Sequence, residues 1–508
     1  MKIIKEVSKE DLREFLYRKM DINDSAIYEE MNSGNSIGIF QMNGGTAERL
    51  VNDVKPNSFA ELNACNAMAR PGPIENAPLY VEGKRGVPSN YPAAMEEILS
   101  STYNVPIYQE QIMEIFHKIG GFSLEEADGV RGLMKKLGKA DKDPEDVKKW
   151  DRTVKKFTKG AVANGITEAE AAKIANDLVS FAGYSFNLSH SSSYTYIAVM
   201  TLYLSVYFRK YFYSAVLDYE VDRDKSLFEV FQAIKEHGIK VLPPDVNKSD
   251  IKIKPLEGDE IIFGLQNVKF VGDKPAHHII ANRPYTSIFD FIMKTVYGEK
   301  GGVTSRVIDA LIKAGGFDSL AGNNRKLYQQ VFGLFWNNKK STKIEEKLSA
   351  LWKKIEEHSK SLPYYKEVKN SDLRELEKEI YGHALFTTLF TDKKVEMFNV
   401  MAKRGLVALA FDKVTAASIK VPVELESVRV IKDKNNNEMA FITVTDLRGK
   451  KESCPVFASY WEHVKGYFIP EKLYLMNFYR DEKGSILFGQ KSYLRNQFKM
   501  MRMIKEVP

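Results

Sequence analysis

Twenty-six consecutive residues, Gly183 to Phe208, pass without one Asp, Glu, Lys or Arg, and a segment of that kind has few places to go. It can be a membrane span or a helix enclosed by protein. Its first half is dense in Ser, Asn, His and Tyr, groups that are costly in hydrocarbon. Its apolar part, Thr195 to Phe208, is shorter than the roughly 20 residues a spanning helix requires. The segment therefore predicts a buried helix in a water-soluble protein with no membrane partner. Burying such a helix on all sides takes a substantial set of surrounding helices.

The surrounding sequence supplies them. Residues 1 to about 240 read mostly as helix, as in Glu170 to Phe181, where Ile174, Leu178 and Phe181 form one apolar stripe. Turns are marked at Pro71-Gly72-Pro73, Gly86-Val87-Pro88 and Gly120-Gly121, and Pro243-Pro244 should end the helical region. From 245 to 325 short pieces follow, with strands expected at Ile251 to Ile253 and Ile261 to Leu265 and two short helices after them. Residues 338 to 380 are rich in lysine and glutamate and read as a helical connector or arm. After 420 the pattern turns to strands, VELESVRVI, EMAFITVTDL, KLYLMNFYR and SILFGQKSYL, the first two joined by a turn at Asn435-Asn436-Asn437. The fold class is multidomain α+β, ending in a small β-barrel of OB type. The expected domains are 1–240, 241–325, 326–420 and 421–508.

At 508 residues the chain is too long for one ordinary core. Its two cysteines, Cys65 and Cys454, exclude a disulfide framework and suggest a reducing, cytoplasmic compartment. No apolar leader stands at the N-terminus, so no secretory signal is expected. The net charge of +7 is mild for this length, but its distribution is informative. Arg131 to Lys159 holds eleven basic residues against five acidic ones, a local net of +6. That suits phosphate binding, although a solvated helical face would look the same.

Three clusters carry chemistry. In the first, Arg70 precedes the stiff turn Pro71-Gly72-Pro73, where a planar guanidinium can be held for phosphate oxygens. In the second, Tyr108-Gln109-Glu110-Gln111 opens a helix with the stripe Ile112, Ile115, Phe116 and Ile119. After Gly120-Gly121, Ser123 and Glu126 form a capping box for a helix bearing Arg131, Lys135 and Lys136 toward its C-terminal end. Cations there also answer the helix dipole. In the third, Tyr184, Asn187, Ser189 and His190 cluster at the entry of the uncharged helix.

Taken in order, IFQMNG, ARPGP, YQEQ, ADGVRGLMKK and FNLSHSSSYT resemble the VFQLES-type, FRPGP, YQEQ, ADxLRRAMxKK and FNKSHSAAYA segments of the fingers of family C replicative DNA polymerases, the DNA polymerase III alpha subunits. LPPDVN, the helix-hairpin-helix-like GLQNVKFVGDKPAHHIIANR, VTSRVIDALIKAGGFDSL and the MAFITVTD strand extend the resemblance over most of the chain. It implies helical fingers, a helix-hairpin-helix region and an OB domain. It also implies nucleotide or DNA contacts for Arg70, Tyr108, Gln109, Arg131, Lys135, Lys136, Tyr184, Asn187, Ser189 and His190, and a phosphate grip at Gly272 and Lys274. Three positions depart from the pattern. Gly132 replaces an arginine, Leu188 a lysine, and Phe270 a glycine of the hairpin.

The family's magnesium-holding palm aspartates lie before the region where this chain starts. Neither Asp222 and Asp224 nor Asp141 and Asp143 is expected to replace them, so no catalytic residue and no metal ligand is assigned here. The resemblance thus implies a polymerase subunit that binds primer-template DNA and incoming dNTP. The carboxylates and most of the Mg2+ ligation would come from a palm- and PHP-bearing chain, which favours a naturally split enzyme over a truncated piece. The alternative is a non-catalytic DNA-binding or scaffold protein of the replisome. Gln330, Leu334 and Phe335 resemble a degenerate sliding-clamp peptide, against the plainer reading of an amphipathic helix burying Phe332 and Phe335.

Overall fold

The computed structural model describes residues 12–70, 73–88, 91–137, 143–182, 185–220, 227–298, 301–322, 324–361, 370–382, 384–387, 390, 392–447, 451–470, 472–482, 484–489 and 504–507. The chain divides into two compact units, residues 1–213 and 214–508. Among the described residues no helix is long and apolar enough to cross a membrane.

The first unit is helical. Its central helix, α1 (Phe59–Met68), is buried at every residue from Glu61 to Met68. Helix α2 (Gln109–Glu114) runs into a π-helical turn, Ile115–Ile119, which buries Ile112, Ile115, Phe116 and Ile119 as the apolar stripe predicts. Gly121, at φ +70°, turns the chain back. Helix α3 (Leu124–Leu137) then starts on the expected capping box: Ser123 N donates to Glu126 Oε2 at 2.8 Å, and Glu126 N to Ser123 Oγ at 3.1 Å. Helices α4 (Pro144–Ala163) and α5 (Glu168–Ala182) complete a core in which Phe116 meets Phe122, Trp150 and Phe157.

The uncharged segment forms α6 (Leu188–Tyr207) with Ser191, Thr195, Ala198, Val199 and Leu202 buried. Ser191, Ser193, Thr201 and Ser205 donate their hydroxyls to carbonyls of α6 itself, and those of Ser192 and Thr195 pair with α1. Asn63 Nδ2 donates to Ser192 Oγ (3.2 Å), Thr195 Oγ1 to Asn63 Oδ1 (3.0 Å), and Asn66 Nδ2 to Thr195 Oγ1 (3.0 Å). The buried faces of the two helices thus satisfy polar groups by pairing them with one another, while Ser189, His190, Ser193 and Ile197 leave α6 an exposed side.

The second unit contains α7 (Leu227–Glu236) and a three-stranded sheet, β1 (Lys240–Leu242), β2 (Lys254–Pro255) and β3 (Glu260–Ile262), in the order β1-β3-β2. Two expectations are corrected here. Pro243-Pro244 follows a strand rather than a helix, since the helix has already stopped at Glu236 and Gly238 turns at φ +74°. Residues 251–253 are not a strand: the carbonyls of Asp250 and Ile251 accept from Leu265 N and Gln266 N, so ladder pairing begins only at Lys254. Helices α8 (Asp273–Ala281) and α9 (Ser305–Ala314) follow, then α10 (Arg325–Asn338), α11 (Glu345–Ser359) and α12 (Asn370–Tyr381) in the expected helical stretch.

The C-terminal strands are β4 (Ile419–Lys432), β5 (Glu438–Asp446), β6 (Lys451–Val456), β7 (Lys472–Arg480), β8 (Ile486–Phe488) and β9 (Ile504–Glu506), with helix α13 (Ala458–Val464) between β6 and β7. Antiparallel order β6-β5-β4-β7-β8 makes a nearly closed barrel of OB type. Strand β4 serves two neighbours: residues 419–425 pair with β7 and 423–432 with β5, bending at a bulge between Leu425 and Ser427. The turn at Asn435-Asn436-Asn437 is present, with Asn436 at φ +65° and Asp433 Oδ1 accepting from Asn435 N and Asn437 N. Of SILFGQKSYL only Ile486 to Phe488 is strand among the described residues, and residues 490–494 lie outside them. Strand β6 is an element that the sequence pattern does not predict.

Candidate nucleotide and nucleic-acid interface

The YQEQ segment and the entry of α6, far apart in sequence, are joined by backbone. Phe186 N donates to Ile107 O and Gln109 N to Phe186 O, both at 3.0 Å, forming a parallel bridge of Tyr108 with Phe186. Glu110 then holds the start of α6: its carboxylate accepts from Asn187 Nδ2 at 2.8 Å and from Leu188 N at 2.9 Å. Asn187 caps the helix through Oδ1, which accepts from His190 N at 2.8 Å. Glu110 and Asn187 are therefore linked as a positioning pair, with an acidic group at a helix N-terminus as the dipole favours.

A row of planar groups is built on this joint. The Arg70 guanidinium lies 4.2 Å from the centre of the Phe186 ring. Phe186 meets His190 edge-on at 5.4 Å, His190 tilts against Tyr194 at 4.4 Å, and Tyr194 meets Phe40 at 5.5 Å. Arg70 Nε is buried without a hydrogen-bond partner among the described residues. A desolvated guanidinium donor with nothing to bind is costly inside a protein, and an anionic ligand would satisfy it. Gln109 ties Arg131 to the same region: its Nε2 donates to Ser185 O at 3.2 Å, and its Oε1 lies 3.4 Å from Arg131 Nη1. Arg131 is also paired with Asp128 at 2.9 Å.

The expected site residues do not form one pocket. Tyr108 is 5% exposed, and its backbone N–H is held by Gln111 Oε1, so its ring is a packing element rather than an open contact. Burial, reinforced by Cys65 and Glu110, pushes its hydroxyl well above the usual tyrosine range. Ser189 and His190 are exposed at the first turn of α6. Lys136 lies about 140° round α3 from Arg131 and approaches Asp146 of α4 at 3.8 Å. There it borders a separate trough of about 600 Å³ with Lys149, Arg152, Lys156 and Gly132. Within that trough Lys156 pairs with Glu126. Tyr184, Asp141, Asp222, Asp224 and the Lys135 side chain lie outside the described residues. Phe186, Tyr194, Phe40 and Glu110 were not read from the sequence as site residues. The available signal was that all four sit inside the motifs already singled out, Phe40 in IFQMNG, Glu110 in YQEQ, and Phe186 and Tyr194 in FNLSHSSSYT.

In the second unit, Gly272 begins α8 at φ −78°, a conformation any residue adopts, and Lys274 is exposed on the first turn. Phe270 carries the left-handed conformation instead, at φ +72°. The clamp-like segment is part of α10. Phe335, expected as an anchor of a clamp-binding peptide, is fully buried against Phe289 and Trp352. Leu334 alone of the three points outward, 41% exposed, and Gln330 Oε1 is buried without a partner among the described residues. The plainer amphipathic-helix reading of this segment holds.

Among the described residues no group of three or more His, Cys, Asp or Glu could hold a metal ion. Asp143 caps α4 by accepting from Glu145 N at 2.8 Å. The donor set described here is one of guanidinium, amide and ammonium groups, which bind anions rather than cations.

Comparison with known proteins agrees with this donor set. Residues 1–165 match the finger domain of the bacterial DNA polymerase III alpha subunit, and residues 238–327 match a helix-hairpin-helix motif. The DNA polymerase III alpha subunit of Halalkalibacterium halodurans is 31% identical over 451 residues, covering 87% of this chain and 38% of the relative. That of Campylobacter jejuni is 31% identical, covering 92% and 39%, and that of Aquifex aeolicus 30% identical, covering 95% and 40%. The chain thus spans about two-fifths of the length of the curated relatives it matches.

Proposed function

The chain is a relative of the bacterial DNA polymerase III alpha subunits across its finger and helix-hairpin-helix portions, and from that premise we propose that it binds primer-template DNA and the incoming dNTP in replicative DNA synthesis. The observation that carries the reading is the row beginning at Arg70. A buried guanidinium donor, Arg70 Nε, without a hydrogen-bond partner among the described residues, is stacked on Phe186 beside Gln109, Arg131 and His190. In this proposal Arg70 and Arg131 receive phosphate oxygens, as planar forks suited to them. Phe186 and Glu110 hold those groups in place, and His190 stands at the open end of the row. Magnesium, when bound in the assembled polymerase, would neutralise the transferred phosphates and activate the primer hydroxyl. The described residues do not fit that pair of ions, so the carboxylates holding them would come from a palm region, on our reading a partner chain. A cytoplasmic location fits the same role.

The experiment mixes the chain with a palm- and PHP-bearing chain and follows dNTP incorporation on a primed template. Arg70→Ala and Arg131→Ala should each lower incorporation by about ten- to a hundredfold, the worth of a charge-assisted contact. Incorporation unchanged by either substitution would overturn the assignment of Arg70 and Arg131 as phosphate contacts. DNA binding that persists with no extension under any pairing would instead support the scaffold alternative.

A further inference from the structure

We propose that the hairpin tip ahead of α8 is a stacking platform for an unpaired DNA base, with Phe270 as the platform and Arg306 as its clip. Phe270 is a bulky residue held at φ +72°, a region that suits glycine and strains other side chains. Nothing in the core rewards that strain, because the ring is 42% exposed. Such outliers persist where the surrounding structure has a use for them. Here the surroundings are cationic. The Arg306 guanidinium, at the start of α9, lies 3.7 Å from the ring centre, Lys269 Nζ lies at 5.4 Å, and Lys274 is exposed on the following turn.

The ring borders a cavity of about 630 Å³, walled also by Gln266, Asn267, Lys378 and Tyr381. The Tyr381 hydroxyl is buried without a partner among the described residues, leaving a polar group at that wall unsatisfied. A hairpin that grips duplex DNA does so by bringing its backbone N–H groups against a phosphate, which a glycine permits and a phenylalanine ring obstructs. What the ring supplies instead is a π-face, and bases of single strands stack on such faces with little sequence preference while nearby cations take their phosphates. The occupant we infer is therefore single-stranded DNA, one base resting beside Phe270. This deepens the DNA-binding reading above and rests on it.

The test measures binding of the full chain to fluorescein-labelled oligo-dT and to a duplex of equal length, by anisotropy at one fixed salt concentration. Phe270→Gly should weaken oligo-dT binding about tenfold, leave duplex binding equal or stronger, and leave the urea midpoint no lower. Phe270→Tyr, which keeps the π-face, should retain oligo-dT affinity. Oligo-dT affinity unchanged in Phe270→Gly, or both affinities falling together, overturns the platform. Failure of the unaltered chain to bind either DNA overturns the DNA-binding reading and the platform with it.

Discussion

Gly160 lies within α4, and sequence reasoning alone would replace it with alanine to gain about 1 kcal/mol of helix propensity. The tertiary structure reverses that sign. A Cβ at Gly160 would stand 2.1 Å from the Gly120 carbonyl oxygen and 2.4 Å from its carbonyl carbon. Both are backbone atoms, so neither can rotate away. Restoring ordinary contact requires α4 and the turn after the Phe116 helix to separate by roughly 1 Å or more. The Gly120 side of the contact is equally closed, because a Cβ there would meet Phe157 Cδ2 at 2.5 Å. Overpacking of this kind costs about 1–3 kcal/mol. With two rigid backbone atoms in the way the cost falls at the upper end of that range, and less the propensity gain the net loss of about 2 kcal/mol should lower the melting temperature of a unit this size by about 4–8 °C. Gly132→Ala is the matched control, since nothing lies within 4 Å of the Cβ it would add in α3. It should stabilise by about 1 kcal/mol. Urea unfolding, with hydrogen exchange of peptides from 144–163, reads both changes. A Gly160→Ala protein as stable as its parent would refute the close-approach argument.

Three further outcomes are expected. Gly132→Arg places a guanidinium over the basic trough between α3 and α4, so the slope of log K for DNA against log salt should steepen by about 0.9 per phosphate gained. Phe335→Ala should destabilise by about 3–5 kcal/mol, because the ring is fully enclosed by Phe289 and Trp352; a chemically unchanged denaturation midpoint would contradict its burial. Glu61 is buried, which by itself raises its pKa, but hydrogen bonds from Lys84, Tyr103 and Asn57 N outweigh this and hold it below the usual value. A depressed carboxylate contributes stability above its unfolded pKa and loses it as pH falls through the folded one. Lys84→Met should therefore move the acid-unfolding midpoint upward, measured by circular dichroism, with little difference between parent and variant in the fully acid range.

Much of the local architecture was legible in the sequence, for a physical reason. The Ser123–Glu126 cap, the stripe Ile112, Ile115, Phe116 and Ile119, the turn at Asn435 to Asn437 and the buried helix after Asn187 all depend on neighbours within a few residues, which the sequence displays directly. Strand β6, KESCPV, carries charges and a proline and resembles no strand by pattern. It exists because β5 offers it a full ladder from Ala440 to Thr445, with Pro455 tolerated on the strand that ends the sheet order. The site divides in the same way. Arg70, Gln109, Arg131 and His190 could be named from their motifs, but their grouping depends on the bridge between Tyr108 and Phe186.

By itself the sequence determined most of the helices, the longer C-terminal strands, and that the uncharged segment is a helix with a buried side. Only the tertiary structure decided that Asn63 and Asn66 meet the hydroxyls of Ser192 and Thr195, that Lys136 faces α4 rather than the Arg70 row, and that Gly160 touches Gly120. Those outcomes join residues far apart along the chain, and nothing in the local pattern of either partner encodes the distance between them.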